Sequence, residues 1–136
     1  MLDEVVEAYP NDVVVYFKHF PLSTHPHSEA AARAAVAAHR QGRFADMHRT
    51  LLENQTAQTD QDILQYAERL GLDMERFKRD WADPDVAALV RKDKEEGLAA
   101  HVEGTPTLFI NGALYSDPPA LPFLKDWIEE ILSVNG

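Results

Sequence analysis

The chain has 136 residues, 45% of them hydrophobic, a length and apolar content that suit one domain with a single core. Its 13 Lys and Arg stand against 23 Asp and Glu, and the net charge of -10 repels a nucleic-acid backbone. No apolar run approaches the roughly 20 residues of a membrane span, the first residues lack the basic and apolar regions of a signal peptide, and with no cysteine the sequence excludes disulfides, thiolate metal sites and a thiol nucleophile within these residues.

Leu2, Val5, Val6 and Tyr9 recur at helical spacing and predict an opening helix that stops at Pro10. Residues 13–17, Val-Val-Val-Tyr-Phe, are β-branched and aromatic throughout and predict a short strand buried on both faces, as in parallel sheets. Residues 19–26 hold two prolines and predict a loop, with Lys18 at its entrance pointing to solvent. The alanine-rich residues 28–41 predict a helix, with Gly42 positioned to end it. Phe44, Met47, His48, Leu51 and Leu52 mark the next helix, and His48 reads as a packed or hydrogen-bonded side chain. A further helix carries Ile63, Leu64, Tyr66, Ala67 and Leu70 between a Thr59 or Asp60 cap and Gly71. Met74, Phe77 and Trp81 suit one more helix, and Pro84 after an Asp83 cap opens another that runs towards His101.

The pattern then turns extended. Residues 107–110 and 113–115 are apolar runs joined by Asn111-Gly112, the dipeptide favoured in a type I′ hairpin. Leu121, Phe123, Leu124, Trp127, Ile128, Ile131 and Leu132 predict an amphipathic closing helix, with Phe123, Trp127 and Trp81 read as core. The order helix, strand, several helices, hairpin, helix predicts an α/β layered domain over residues 1–136, with the hairpin and the first strand in one sheet, the terminal helices covering it, and a helical insertion over about 28–101.

Six histidines raise the question of a metal, and His19, His25 and His27 share one loop. Their spacing matches no zinc motif, so they read as loop histidines with solvent partners, and no metal or cofactor is expected. No Ser-His-Asp, Walker or Rossmann pattern is present either.

Several short motifs, taken in order, resemble the DsbA-like branch of the thioredoxin fold. They are Phe17-Lys18-His19-Phe20-Pro21-Leu22 followed by His25-Pro26, Gln41-Gly42-Arg43-Phe44, Met47-His48, Leu51-Leu52-Glu53-Asn54-Gln55, Tyr66-Ala67 with Leu70-Gly71-Leu72-Asp73, and Gly104-Thr105-Pro106-Thr107 with Phe109-Ile110-Asn111-Gly112. The resemblance spans nearly the whole chain and implies thiol-disulfide exchange, in which a low-pKa thiolate passes through a mixed disulfide. It also implies that Thr105-Pro106 is a cis bond and that Gly104, Thr105 and Pro106 form the loop that holds an extended peptide or protein substrate. Lys18 would then be a buried charge tuning a neighbouring thiol. Members of the family are usually found in the periplasm or cell envelope, while this sequence leaves its compartment open.

The central strand and Cys-x-x-Cys segment that precede this region in the family have no counterpart in these residues, so the expected fold is incomplete at its N-terminus and redox-inactive as it stands. A shortened chain, a wrongly chosen gene start and a product whose catalytic half was lost are equally open. Without the central strand, the strand at 13–17 and the hairpin strand keep unpaired edges, which predicts either their direct pairing or a homodimer through those edges. A non-catalytic peptide-binding module is the alternative function. A kappa-type glutathione transferase or isomerase relative is a third, against which the His25-Pro26 loop and residues 41–44 argue.

Overall fold

The computed structural model describes residues 2–21, 27–103, 107–117 and 120–135, with side chains described up to residue 133. Its elements in chain order are α1 (Leu2–Ala8), α2 (Ser28–His39), α3 (Phe44–Glu53), α4 (Asp60–Arg69), α5 (Met74–Trp81), α6 (Pro84–Ala99), β1 (Phe109–Ile110), β2 (Ala113–Leu114) and α7 (Leu121–Asn135). They pack as two compact units, one formed by Met1–Phe17 with Pro106–Gly136, the other by Lys18–Thr105.

The second unit is helical, and α2 is its centre. Ala31, Ala34, Ala35, Ala37 and Ala38 are all buried, so nearly the whole circumference of α2 is apolar and small. Without bulky side chains in the way, α3, α4, α5 and α6 can all pack against it. Met47 and Leu51 of α3, Ile63, Tyr66 and Ala67 of α4, and Phe77 of α5 fill the space around those alanines. A smaller apolar cluster joins Val36 of α2 to Val86 and Val90 of α6.

Polar side chains fix the helix ends. Thr59 and Asp62 form a reciprocal capping box at the start of α4, Asp73 caps α5, and Asp83 caps α6 with Pro84 in the first turn. Gly42 and Gly71, at φ +74° and +75°, make the left-handed turns that follow α2 and α4. Arg40, just past α2, ties that end to the start of α6, its Nη1 donating to Asp80 Oδ1 at 2.9 Å and to Asp83 Oδ2 at 2.8 Å.

In the first unit α1 and α7 pack together beside the hairpin. Its core is Val5, Tyr115, Leu124 and Ile128, flanked by half-buried Leu2, Tyr9, Val13, Leu108, Ile110 and Trp127. β1 and β2 pair antiparallel with Phe109 opposite Leu114 and Ile110 opposite Ala113. Asn111 and Gly112 both take positive φ, +49° and +84°, as a type I′ turn demands. The ladder runs one bond further, from the Tyr115 N–H to the Leu108 carbonyl at 2.9 Å, and is otherwise shorter than the apolar runs predict.

Three expectations need correction. Residues 13–17 form no strand: the described sheet has only β1 and β2, and Val14 is 72% and Tyr16 82% exposed rather than buried on both faces. A strand exists only through a ladder with a neighbour's backbone, and among the described residues no ladder to 13–17 is formed, the Val13 N–H turning back to the Tyr9 carbonyl at 3.1 Å instead. The direct pairing of 13–17 with the hairpin is therefore not formed among the described residues. Phe123, read as core, is 45% exposed, because Leu124 and Ile128 take the buried stripe of α7.

Candidate functional site

The loop that the resemblance marks as substrate-binding, Gly104, Thr105 and Pro106, lies outside the described residues, and the isomer of the Thr105-Pro106 bond with it. Its two flanks are described. On one side α6 ends at Ala99, His101 takes φ +62°, and the Val102 N–H returns to the Gly97 carbonyl at 2.9 Å. On the other side Thr107 and Leu108 are half-buried and lead directly into β1.

The better-defined constellation lies in the helical unit, where residues 18–21 are fastened along α6. The inward stripe of α6 runs Val86, Val90, Asp93, Gly97, at spacings of four, three and four residues. The first two positions are apolar and meet α2. At the third a buried carboxylate replaces the hydrophobe: the His19 N–H donates to Asp93 Oδ2 at 3.0 Å. A buried carboxylate is costly unless it is bonded, and here it secures a backbone donor of the arriving chain.

At the fourth position Gly97 leaves room for Phe20. A Cβ there would come within 2.6 Å of two carbons of the Phe20 ring. Lys94 covers the same ring, its Nζ 3.8 Å from the centroid, and donates to the Pro21 carbonyl at 2.6 Å. The Lys18 ammonium lies 3.4 Å from Glu96 and 3.8 Å from Asp93. Its side chain is 61% exposed, the solvent-facing position that its place after the apolar run predicts.

The histidines divide by environment. His27 is exposed, and His25 lies outside the described residues. His19 departs from the expected solvent-facing loop histidine: it is only 8% exposed and sits against the Phe44 ring. The chain reaches α6 at His19, so the imidazole is drawn in with the backbone bond to Asp93. His48 stacks on the other side chain of this contact, its ring 5.3 Å from that of Phe44 and nearly parallel, a packed histidine as read from its helix. Burial lowers both imidazoles below their ordinary value. Among the described residues no group of three His, Cys, Asp or Glu could hold a metal ion.

Phe20, Asp93, Lys94 and Gly97 carry this docking, and the sequence reading did not select them. The available signal was the α6 stripe itself, where an Asp and a Gly occupy positions that the helical period assigns to core hydrophobes.

The architecture is that of a thioredoxin-like fold. A solved structure of a thioredoxin-like oxidoreductase from Silicibacter pomeroyi DSS-3 superposes with a TM-score of 0.83 at 27% identity, covering 97% of this chain and 75% of that one. The model of the DSBA-like thioredoxin domain matches residues 1–129, and the chain belongs to that family. Curated relatives similar to this chain carry an antiporter name. The Na(+)/H(+) antiporter NhaA 3 of Salinispora tropica is 42% identical over 103 residues, 75% of this chain and 16% of the relative. The Na(+)/H(+) antiporter NhaA 1 of Mycobacterium sp. strain KMS is 36% identical over 120 residues, 86% of this chain and 20% of the relative. The chain thus spans a fifth or less of the length of these relatives.

Proposed function

We propose that these 136 residues are the substrate-docking part of a DsbA-like thiol-disulfide exchange domain and carry no redox centre of their own. The observation that supports this most directly is the conjunction of membership in the DSBA-like family with the absence of any cysteine. Exchange needs a thiolate that attacks a disulfide sulfur, expels the other sulfur as the leaving thiolate, and is itself released by a second thiol. No side chain in this sequence can serve as either thiol, so both would come from residues outside it.

The role left to the chain is peptide engagement. In this reading the backbone at Thr105-Pro106 and the adjoining hairpin strand pair with an extended segment of substrate, the mode in which main-chain bonds give affinity and side-chain pockets give selectivity. The residues at 14–17 offer a second surface. Exposed, uncharged and β-prone, they recruit another strand, and a second copy of the chain is the partner proposed for them. The antiporter names belong to proteins that match over a fifth of their length or less, and we carry no ion-transport role from them to this segment.

The competing reading is a non-catalytic binding module, reached from the exchange domain by loss of the cysteines, and the same lack of cysteine favours it. The DNA upstream of the codon for Met1 separates the two: an in-frame strand pattern followed by Cys-x-x-Cys supports the exchange domain, and a stop codon supports the module. In either case the chain alone shows no insulin reduction and no dithiol oxidation. Turnover above the buffer rate overturns the assignment.

A further inference from the structure

The hairpin is covered on one face. Leu108, Ile110 and Tyr115 turn inward and pack with Val5 of α1 and with Leu124 and Ile128 of α7. Successive side chains of a strand alternate between faces, so Phe109 and Leu114, directly opposite each other, turn outward, and they remain 42% and 58% exposed. Two large apolar side chains thus stand side by side in the middle of the ladder.

Their backbone groups face outward as well. The bond from the Tyr115 N–H to the Leu108 carbonyl makes Leu108 and Tyr115 a hydrogen-bonded pair. In an antiparallel ladder such pairs alternate with pairs that exchange no bond, so the N–H and C=O groups of Phe109 and Leu114 point away from each other, towards the two outer edges. Among the described residues the sheet has no third strand to meet them. Each edge therefore combines an open donor and acceptor with an exposed apolar side chain, the two features that an added strand uses.

Charge decides which strand is suited. Residues 1–17 and 106–136, which make up this unit, hold eight Asp and Glu and a single basic side chain, Lys125. The excess is felt at the hairpin: burial raises the Tyr115 hydroxyl above its ordinary value, and Asp117 and Asp126 raise it further. A segment rich in carboxylates is repelled by this field, and one that carries Lys or Arg is drawn to it. A second copy of the unit brings the same excess, so it is not the complementary occupant of this face.

We propose that the outer face of the hairpin takes a basic extended segment of a partner protein, its apolar side chains against Phe109 and Leu114 and its Lys or Arg side chains attracted by the carboxylates of this unit. This names the substrate class of the peptide engagement proposed for the same hairpin and rests on it. Main-chain pairing binds without regard to sequence, the two apolar side chains favour an alternating pattern, and the field rejects acidic segments. An exposed charge pair shifts an equilibrium by up to about fivefold. A segment with three Lys therefore exceeds its Glu counterpart by about tenfold or more at low salt, and the margin shrinks once salt screens charges beyond about 10 Å.

The test is a titration of the isotopically labelled full chain with three cysteine-free peptides of one alternating apolar pattern, whose polar positions are Lys, Gln or Glu. The amide shifts of Phe109 and Leu114 give the affinity at low and at raised salt. The expected order is Lys, then Gln, then Glu, with the Lys peptide about tenfold or more tighter than the Glu peptide at low salt and the gap closing as salt rises. In Leu114→Ala, an exposed position, every peptide is expected to bind several-fold more weakly with the order kept. Equal affinity for the three peptides, or a preference for Glu, overturns the charge selectivity while the peptide engagement stands. Unchanged affinity in Leu114→Ala overturns the outer face as the place of binding. No saturable shift with any peptide removes the engagement itself and the proposal with it.

Discussion

Gly97 tests the docking of residues 18–21 at a single atom. In an exposed helix interior, Gly→Ala raises stability by about 1 kcal/mol through helix propensity. At position 97 the added methyl meets the Phe20 ring at 2.6 Å, and Lys94 stands over the same ring. Overpacking of this kind costs about 1–3 kcal/mol, so Gly97→Ala is expected to leave the chain no more stable, or less stable by up to about 2 kcal/mol. Urea unfolding with Gly97→Ala beside the unaltered chain measures it, and a clear gain in stability would mean that Phe20 is free to leave its seat. The same residues mark a limit of sequence reading. Helical periodicity shows which positions of α6 face inward, but not that the partner at Asp93 is the backbone of a segment 74 residues away. Contact across such a separation has no local signature.

At the scale of elements the helices were legible because their signals are local. Caps at Thr59 and Asp83 and left-handed turns at Gly42 and Gly71 act within one turn of chain, and the structure places each where its chemistry predicts. The Asn111-Gly112 hairpin was legible for the same reason. The segment at 13–17 was not, because β-propensity describes what would suit a sheet, whereas a strand also needs a neighbour. The predicted role of α2 is sharper than its propensity alone implies. Ala34 is fully buried, so Ala34→Leu adds volume where the surrounding helices leave none. A loss of about 1–3 kcal/mol or more is expected, against a negligible change for Ala88→Leu on the exposed side of α6. Thermal unfolding of the two variants separates a packing role for α2 from a merely helical one, since equal effects would rule out the first.

The whole molecule carries two properties that no single element has. One is the exposed run at 14–17, where Val14, Val15, Tyr16 and Phe17 are 72%, 42%, 82% and 47% exposed. Such a run invites strand pairing between copies, opposed by the net charge of -10 on each chain. Association is therefore expected to strengthen with salt and to be abolished in Val14→Lys with Tyr16→Lys. Light scattering coupled to size exclusion at micromolar concentration measures it, and a strictly monomeric protein at every ionic strength excludes the edge as a dimer site.

The other property is the separation of fold from chemistry. The family is fixed by the match to the DSBA-like thioredoxin domain over residues 1–129, while thiol-disulfide exchange needs sulfur atoms that this sequence lacks. The central claim is that the chain engages extended peptide through Thr105 and Pro106 without thiols. Its most direct test is a titration of the labelled chain with an unstructured, cysteine-free peptide, followed by amide chemical shifts. The account predicts saturable shifts at Thr105, Thr107 and Leu108 that disappear in Pro106→Ala while the α4 amides stay in place. Saturating peptide with no shift at those residues, or shifts there that persist in Pro106→Ala, would contradict it.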